Sequence, residues 1–295
     1  MQKCLKDPVV RSEGGPGKYP VIGFVGAGKV GKALGIFFRR KGVPVSGYFS
    51  RSRDSAKRAA AQIVAAYYEE LSDVANASDV LFLTVPDGQI ASVWKRLCAL
   101  QEAGTVSLSG KWVIHCSGSL STDILSNADA FGARTASLHP ILAVADPVKA
   151  AEEFSEAVFT LQSEDGLRQQ AIDFFRGLGL NVLPLAADRK VTYHAACVMA
   201  SNLVCGLYAA AAELLVSCGF EPETANGALA PLFLGNAANV AAAGPRAALT
   251  GPVERGDWET VEKHVSALEA AGLETDLAVY KALTERVKEL KERGA

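Results

Sequence analysis

The chain has 295 residues, of which 49% are hydrophobic and 21% charged, and its formal net charge is -2. This balance predicts a globular protein with a sizeable core, and it lacks the basic excess that nucleic acid or an anionic membrane would attract. The six cysteines form no Cys-x-x-Cys pair and no Cys/His quartet, so we expect free thiols and no metal site. We find no apolar stretch of signal-peptide or membrane-spanning character, and therefore expect a cytoplasmic protein that neither enters membranes nor binds nucleic acid.

In the first part of the chain, short apolar runs alternate with helical patterns. Residues 1–18 are polar and rich in Gly and Pro, which predicts a flexible tail. From Val21 to Leu185 the alternation is typical of a doubly wound parallel sheet covered by helices on both faces. The predicted strands are Val21–Val25, Val45–Phe49, Gln62–Ala65, Val80–Val85, Trp112–Cys116, Arg134–Leu138, Ala157–Leu161 and Asn181–Leu185.

After Pro184 the strand pattern stops and alanine-rich helical periodicity continues to the C-terminus. The predicted helices are Asp188–Cys218, Pro222–Ala242, Trp258–Ala271 and Thr275–Arg293. We therefore predict three parts: a tail at 1–18, an α/β nucleotide-binding domain at 19–186, and an all-helical domain at 187–295.

The strongest local motif follows the first predicted strand. Gly26, Gly28 and Gly31 form G-x-G-x-x-G between that strand and a helix, in a strand–helix–strand unit. The first glycine permits a tight turn, the second lets the backbone approach a pyrophosphate, and the third allows close helix–strand packing. Free N–H groups at the start of the helix would bind the phosphates, although the glycines could serve a turn alone. The predicted dinucleotide contacts here are Gly26, Ala27, Gly28, Lys29, Val30 and Gly31.

The end of the second strand favours NADP over NAD. An NAD site usually has an acidic residue here, whereas this chain has Ser50, Arg51 and Ser52, followed by Arg53. Guanidinium and hydroxyl groups suit a 2′-phosphate, and Arg51 can stack on adenine. The alternative is that the arginines are merely solvated in a loop. Asp54 is predicted to cap the next helix.

Further contacts are expected where later strands end. Ligands of doubly wound sheets lie beyond the carboxyl ends of the strands, so Thr84, Val85 and Pro86 should flank the nicotinamide half. Pro86 could also simply terminate its strand. Ser117 is a predicted cofactor contact and His139 a predicted substrate contact at two further strand ends, where His115 could also touch substrate.

The start of the helical half carries the predicted catalytic pair, Lys190 and His194. Helical counting places both on one polar stripe, with Asn202 at its edge as a predicted substrate contact. Hydride reduction of a carbonyl or imine needs a proton donor and a charge that stabilises a developing anion. The alternative is an exposed first turn in which His194 has a structural role. The stripe continues through Cys197, Ser201, Cys205 and Tyr208.

A Gly/Pro-rich turn near the C-terminus contains Arg255 and Asp257. Arg255 is predicted to bind a carboxylate or phosphate of the substrate, and the alternative, which arginines in such turns more often follow, is that it faces solvent. Asp257 is predicted to cap the helix that begins at Trp258. The helices between Asp188 and Ala242 carry more apolar surface than about a hundred residues can bury, so we expect a homodimer formed through this domain.

Four segments carry a resemblance: GFVGAGKVGKALG, SLHP, KVTYHAACVMASN and ALTGPVERGDW. With these the chain resembles, over about Tyr19 to Leu290, the predicted oxidoreductases that join a Rossmann-like domain to a helical C-terminal domain of unknown function. That group is related in architecture to pyrroline-5-carboxylate reductase and the 6-phosphogluconate and β-hydroxyacid dehydrogenases. The resemblance implies NADP use and a dimerising helical domain.

In β-hydroxyacid dehydrogenases a catalytic lysine opens this helix and an asparagine follows four residues later. Lys190 matches the lysine, whereas His194 stands at the asparagine's position. We therefore predict an NADP-dependent oxidoreductase acting on a small carbonyl, hydroxy-acid or imine. The alternative is a non-catalytic NADP-binding redox sensor or scaffold.

Overall fold

A computed structural model describes residues 19–163 and 165–293, so the tail predicted at 1–18 lies outside the described residues. The chain divides into two compact units, the first ending at Cys197 and the second beginning at Val198. The predicted domain division after Ala186 lies earlier than this point, because the first turns of the next helix pack with the α/β unit. That the nucleotide-binding part ends and the helical part begins after Ala186 stays a prediction.

The first unit contains an eight-stranded sheet in the order β3-β2-β1-β4-β5-β6-β7-β8. The strands are β1 (Ile22–Val25), β2 (Val45–Phe49), β3 (Ala66–Tyr68), β4 (Val80–Leu83), β5 (Trp112–His115), β6 (Arg134–Pro140), β7 (Val158–Ser163) and β8 (Asn181–Pro184). The helices of this unit are α1 (Lys29–Arg40), α2 (Arg53–Ile63), α3 (Leu71–Asn76), α4 (Asp87–Glu102), α5 (Pro147–Glu153), α6 (Asp165–Gly177) and α7 (Lys190–Met199).

The strand predicted at Gln62–Ala65 is wrong. Helix α2 continues through Ile63, and Val64 ends it in the left-handed conformation with φ 52°. Alanine is the strongest helix former, so the alanine run before Ile63 extends the helix into the residues expected to be extended. The strand β3 begins only at Ala66, and it pairs parallel with β2.

The predicted doubly wound α/β fold is confirmed, although the sheet is mostly rather than wholly parallel. Strand β7 runs antiparallel to β6, and β8 runs parallel to β7. Between β6 and β7 the chain forms only the seven-residue helix α5. At about 1.5 Å per residue this helix spans roughly 10 Å, less than half the length of a seven-residue strand, so it does not return the chain across the sheet.

Alternate residues of the central strands pack on opposite faces, as expected for a sheet buried on both sides. Phe24 and Phe82 lie in one core cluster, where their ring centroids are 5.6 Å apart. Leu81 and Val113 lie in the other cluster with residues of α4. On the face that carries Phe24 and Phe82, Gly35 of α1 lies close to the Tyr48 side chain, because a Cβ at position 35 would overlap the Tyr48 hydroxyl.

The second unit is helical over the residues that the structure describes. Its helices are α8 (Asn202–Ser217), α9 (Pro222–Ala243), α10 (Pro252–Arg255), α11 (Trp258–Ala270) and α12 (Glu274–Glu292). The single helix predicted over Asp188–Cys218 is interrupted after Met199, and Ser201 adopts a non-helical conformation. The helical count from Lys190 therefore does not extend to Ser201, Cys205 and Tyr208, and the continuous polar stripe is wrong beyond α7.

One segment, Ala187–Ser217, is long and apolar enough to cross a membrane by length and composition, contrary to our expectation from the sequence. Buried core helices of soluble proteins can be equally long and apolar, but none of the apolar window of this segment is buried within the chain. A spanning helix needs about 20 consecutive apolar residues. Here the helix is interrupted after Met199, and Lys190 at its start is buried in the α/β unit.

Candidate functional site

The glycine loop joins β1 to α1 at the carboxyl edge of the sheet. Gly26 has φ 112°, and a Cβ there would lie 2.6 Å from the backbone of Thr84. A Cβ at Gly31 would overlap the Thr84 hydroxyl, so this glycine permits α1 to pack close to the end of β4. A Cβ at Gly28 would lie 3.8 Å from its nearest neighbour, the Thr84 carbonyl oxygen, which leaves open space beside the backbone. The loop thus has the shape that the sequence motif predicts.

A cavity of about 540 Å³ lies beside this loop, at the carboxyl ends of β1, β2 and β4. We call it the glycine-loop cavity. It is lined by nine of the predicted cofactor contacts: Gly26, Ala27, Gly28, Ser50, Arg51, Ser52, Thr84, Val85 and Pro86. Lys29 and Val30 lie in the first turn of α1, Gly31 packs against Thr84, and Ser117 lies in a different cluster described below.

The start of α2 forms one wall of the cavity. The Ser52 hydroxyl accepts a hydrogen bond from the Ser55 N–H at 3.3 Å, so Ser52 is the N-cap of α2. The predicted cap, Asp54, is wrong: this residue lies one step inside the helix, in its first turn. Arg53 forms an exposed ion pair with Glu69 at 3.4 Å. Arg51 lines the cavity just before the cap.

The opposite wall was not predicted from the sequence. Gln89, Ser92 and Arg96 line the cavity from one face of α4, at a spacing of three and four residues. The Arg96 guanidinium lies 5.8 Å from the centroid of the Phe49 ring. The signal was available, because the three residues have helical spacing and follow closely after Pro86, which was predicted to flank the ligand. Three guanidinium groups thus line one cavity, those of Arg51, Arg53 and Arg96, together with the Glu69 carboxylate that pairs with Arg53.

A second polar group, the lysine cluster, consists of Asp87, Ser117, Ser119, Ser137 and Lys190. Lys190 is only 1% exposed. Its ammonium group donates to the Ser117 carbonyl at 3.0 Å and to the Ser137 hydroxyl at 2.5 Å. Burial lowers the pKa of Lys190 to about 8, against the opposing effect of the Asp87 carboxylate. The alternative of an exposed first turn is therefore wrong for this lysine.

Asp87 connects the lysine cluster to the glycine-loop cavity. It is the first residue of α4 and directly follows Pro86, which lines the cavity. Its carboxylate accepts from the Ser117 hydroxyl at 2.6 Å and from the Ser119 hydroxyl at 3.3 Å. The Ser117 hydroxyl also accepts the N–H of Leu120 at 3.0 Å. Ser117 is thus engaged within the protein rather than lining the cavity.

Three aromatic side chains lie together next to the lysine cluster. His139, near the end of β6, places Nδ1 2.7 Å from the hydroxyl of Tyr193 on α7. The His194 ring packs edge-on to His139 with centroids 5.9 Å apart. Gly118 makes room for them, because a Cβ there would overlap His194 and lie 2.9 Å from His139 Nε2. Both histidines were predicted from the sequence, whereas Tyr193 was not, because only contact across the fold identifies it.

The electrostatics of this group follow from burial next to Lys190. Burial and the neighbouring Lys190 charge lower the pKa of His139 to about 4, so its imidazole is neutral at pH 7. Burial raises the pKa of the Tyr193 hydroxyl above its ordinary value. His115 is fully buried, and its pKa is also lowered to about 4. Because its ring nitrogens contact the Ser117 N–H and the Ser121 carbonyl, His115 holds the loop rather than facing a ligand.

The remaining predicted residues lie in the second unit. Asn202 is exposed and accepts from the Ser201 hydroxyl at 3.0 Å. Arg255 is exposed at the end of α10. Both substrate roles stay predictions. The predicted cap of α11 is confirmed, since Asp257 accepts the Thr260 N–H at 3.1 Å. Among the described residues, no group of three or more His, Cys, Asp or Glu side chains is placed to hold a metal ion.

Two family models match the chain, a Rossmann-like domain over residues 9–140 and a domain of unknown function (DUF2520) over residues 157–287. The chain therefore joins a Rossmann-like domain to this helical domain, and the resemblance seen in the sequence is confirmed. No curated protein matches it significantly in sequence.

Solved structures of similar fold cover nearly the whole chain. Protein TM1727 from Thermotoga maritima is 25% identical with a TM-score of 0.69, over 92% of this chain and 99% of that one. A pyrroline-5-carboxylate reductase from Coxiella burnetii is 17% identical with a TM-score of 0.56, over 91% and 97%. An imine reductase from Myxococcus stipitatus, in complex with NADP+, is 18% identical with a TM-score of 0.60, over 93% and 95%.

The buried lysine predicts a pH dependence of stability. The pKa of Lys190 falls from its ordinary 10.5 to about 8 in the folded chain, so between these values the unfolded chain binds more protons. The contribution of this group to the free energy of unfolding therefore rises with pH, by about 2 kcal/mol between pH 8 and pH 10. Urea unfolding gives the free energy of unfolding of the wild type and of Lys190→Met at both pH values. The difference between the two proteins should be larger at pH 10 than at pH 8 by this amount. Equal pH slopes for the two proteins would contradict it.

Proposed function

We propose that this protein is an NADP-dependent oxidoreductase that transfers a hydride to or from a small carbonyl, hydroxy-acid or imine substrate. The observation that carries the proposal is the buried Lys190 ammonium group, which Asp87 and Ser117 connect to the edge of the glycine-loop cavity. An enzyme that moves a hydride needs a cofactor cradle and a cationic or proton-donating group beside it. Both lie at the carboxyl ends of the strands, where ligands of doubly wound sheets bind.

The cavity suits NADP. Gly28 leaves open a space that a side chain would narrow, next to the first N–H groups of α1. Those groups would bind the pyrophosphate. Arg51 and Arg96 supply positive charge at the cavity, and no acidic side chain stands at the end of β2 to favour the 2′-hydroxyl of NAD. The structurally similar imine reductase was solved with NADP+, which agrees with this assignment.

In the proposed reaction the cofactor supplies or accepts the hydride. Lys190 stabilises negative charge that develops on the oxygen or nitrogen of the substrate, and Ser117 and Ser137 hold its ammonium group in position. His194, one turn along α7, faces the same cluster through its contact with His139. His139, Asn202 and Arg255 are proposed to select the substrate. The localisation that we propose is cytoplasmic.

We also propose a homodimer formed through the second unit. Large apolar side chains of α8 and α9 are exposed, among them Leu203 at 58%, Leu232 at 69% and Leu234 at 65%. A second copy of the chain would cover such surface, since soluble monomers rarely expose large contiguous apolar patches.

The proposed activity is tested with NADPH and a panel containing 1-pyrroline, glyoxylate and acetoacetate. We expect oxidation of NADPH with at least one class, and a loss of kcat on the order of 10²–10⁴-fold in Lys190→Met at nearly unchanged NADPH affinity. Lys111→Met is the matched control, because Lys111 is a partly buried lysine that donates to the Ser78 carbonyl at the amino edge of β5. NADPH binding without turnover across the panel would favour the sensor or scaffold.

Cofactor choice is tested at the end of β2. If Arg51 binds the 2′-phosphate, Arg51→Asp should weaken NADPH binding by roughly 10- to 100-fold and change NADH binding little. The control is Arg58→Asp, which makes the same charge change on α2 outside the cavity lining. Fluorescence titration gives both affinities. An equal loss for the two nucleotides would show that Arg51 does not discriminate between them.

Multi-angle light scattering at micromolar concentration tests the dimer. We expect twice the mass of the chain for the wild type. Leu232→Glu should shift the equilibrium towards the monomer, because it places a charge on the proposed apolar interface. A monomeric wild type would exclude the proposed assembly.

A further inference from the structure

We propose that Tyr193, hydrogen-bonded to His139, exchanges the proton with the reacting oxygen or nitrogen of the substrate. This inference rests on the oxidoreductase function proposed above and assigns a role that Lys190 is poorly placed to fill. It starts from the hydrogen bonds of the two groups. Two of the three N–H bonds of the Lys190 ammonium group are committed to Ser117 and Ser137 in a site that is 1% exposed. Lys190 is therefore placed to act through its charge.

Tyr193 and His139 have a different placement. Tyr193 lies one helical turn beyond Lys190 on α7, and His139 lies near the end of β6. Both are partly exposed, in contrast to Lys190. Their 2.7 Å contact joins the phenol oxygen to Nδ1, and the two rings are nearly perpendicular at 89°. Thr160 and Cys197 are further neighbours of this hydroxyl, and the partial exposure of Tyr193 gives a ligand access to the pair.

The other ring nitrogen of His139, Nε2, faces the Gly118 backbone, where a Cβ would lie 2.9 Å from it and would overlap His194. Because His139 is partly exposed, solvent can supply a proton to its imidazole. A neutral imidazole can accept a proton on one nitrogen while it gives up the proton on the other, and so it can pass protons without remaining charged.

The surrounding charges favour this neutral relay. Burial lowers the pKa of His139 most, and Lys190 and His194 lower it further against the opposing effect of Asp87, which leaves this pKa at about 4. The raised pKa of Tyr193 keeps the phenol protonated. At pH 7 both members of the pair are therefore neutral, with one proton on the phenol and one on the imidazole.

In reduction, the carbon of the C=O or C=N bond accepts a hydride from a dihydronicotinamide, and the π electron pair moves to the oxygen or nitrogen. That atom takes the Tyr193 proton. The phenolate oxygen takes the Nδ1 proton of His139, and Nε2 takes a proton from water. The substrate gains one hydride and one proton, and both side chains return to neutral forms. Lys190 stabilises the negative charge while the proton is in transit.

The test compares Tyr193→Phe with Tyr280→Phe in the full chain. Tyr280→Phe is the control, because it removes a hydroxyl from a similar tyrosine–histidine pair in the second unit. The Tyr280 hydroxyl lies 2.8 Å from His264 Nδ1, and the two rings are at 86°. With a substrate from the panel, we expect Tyr193→Phe to lower kcat on the order of 10²–10⁴-fold at unchanged NADPH affinity and melting temperature. Tyr280→Phe should keep the wild-type kcat.

The outcomes separate this inference from the proposed function. An active wild type whose kcat survives Tyr193→Phe overturns the inference alone, and an inactive wild type overturns both. A variant that loses NADPH affinity or melting temperature together with activity also overturns it, since the hydroxyl is then structural.

A second measurement needs no variant at Tyr193 and no substrate. In the ¹⁵N spectrum of the histidine-labelled chain at pH 7, the signals lost in His139→Gln identify this ring. We expect a neutral imidazole protonated at Nδ1, because that nitrogen must supply the proton to the phenolate. An imidazolium, or a ring protonated only at Nε2, overturns the relay.

Discussion

The buried ammonium group of Lys190 is the constraint on which the site depends. A buried charge is costly unless it is hydrogen-bonded, and each bond to a charged group contributes about 1.5–3 kcal/mol. Ser117 supplies one bond from the loop that follows β5, and Ser137 supplies the other from the middle of β6. They tie the start of α7 to the sheet, so the residues that follow Lys190 on this helix come to lie against His139 and Gly118. Substitution of Lys190 thus removes both a charge and an anchor.

The two parts of the site share one edge of the sheet because β1, β2, β4, β5 and β6 are parallel. Their carboxyl ends carry the glycine loop, the Arg51 segment, the Pro86 turn and the Ser117 loop in neighbouring positions. Strand β6 extends to Pro140, farther than its parallel neighbour β5, and this extension carries His139 towards Tyr193. Asp87 then connects the cavity with the lysine cluster, since it begins α4 on one side and accepts from Ser117 on the other.

Much of the glycine-loop cavity was predictable from the sequence, because the residues that shape it are close together along the chain. Glycines at positions 26, 28 and 31 are required by backbone conformation and by close packing against Thr84, and both demands are visible as a short motif after an apolar strand. Local patterns also failed where two of them competed. Ser52 and Asp54 are both good N-caps, and the helix begins at the earlier one. The alanine run before Ile63 outweighed the short apolar stretch that suggested a strand.

By itself the sequence determined the alternation of strands and helices followed by a helical part, the glycine loop and the arginine at the end of β2, and it singled out Lys190 as a candidate. Only the tertiary structure decided that Lys190 is buried against Ser117 and Ser137, that Arg96 joins Arg51 at the cavity, and that Tyr193 pairs with His139. The physical reason is separation along the chain. Helical and strand periodicity indicate which residues share a face of one helix or strand. The residues brought together here are 45 to 73 positions apart in the sequence. Whether they meet depends on the order of the strands in the sheet.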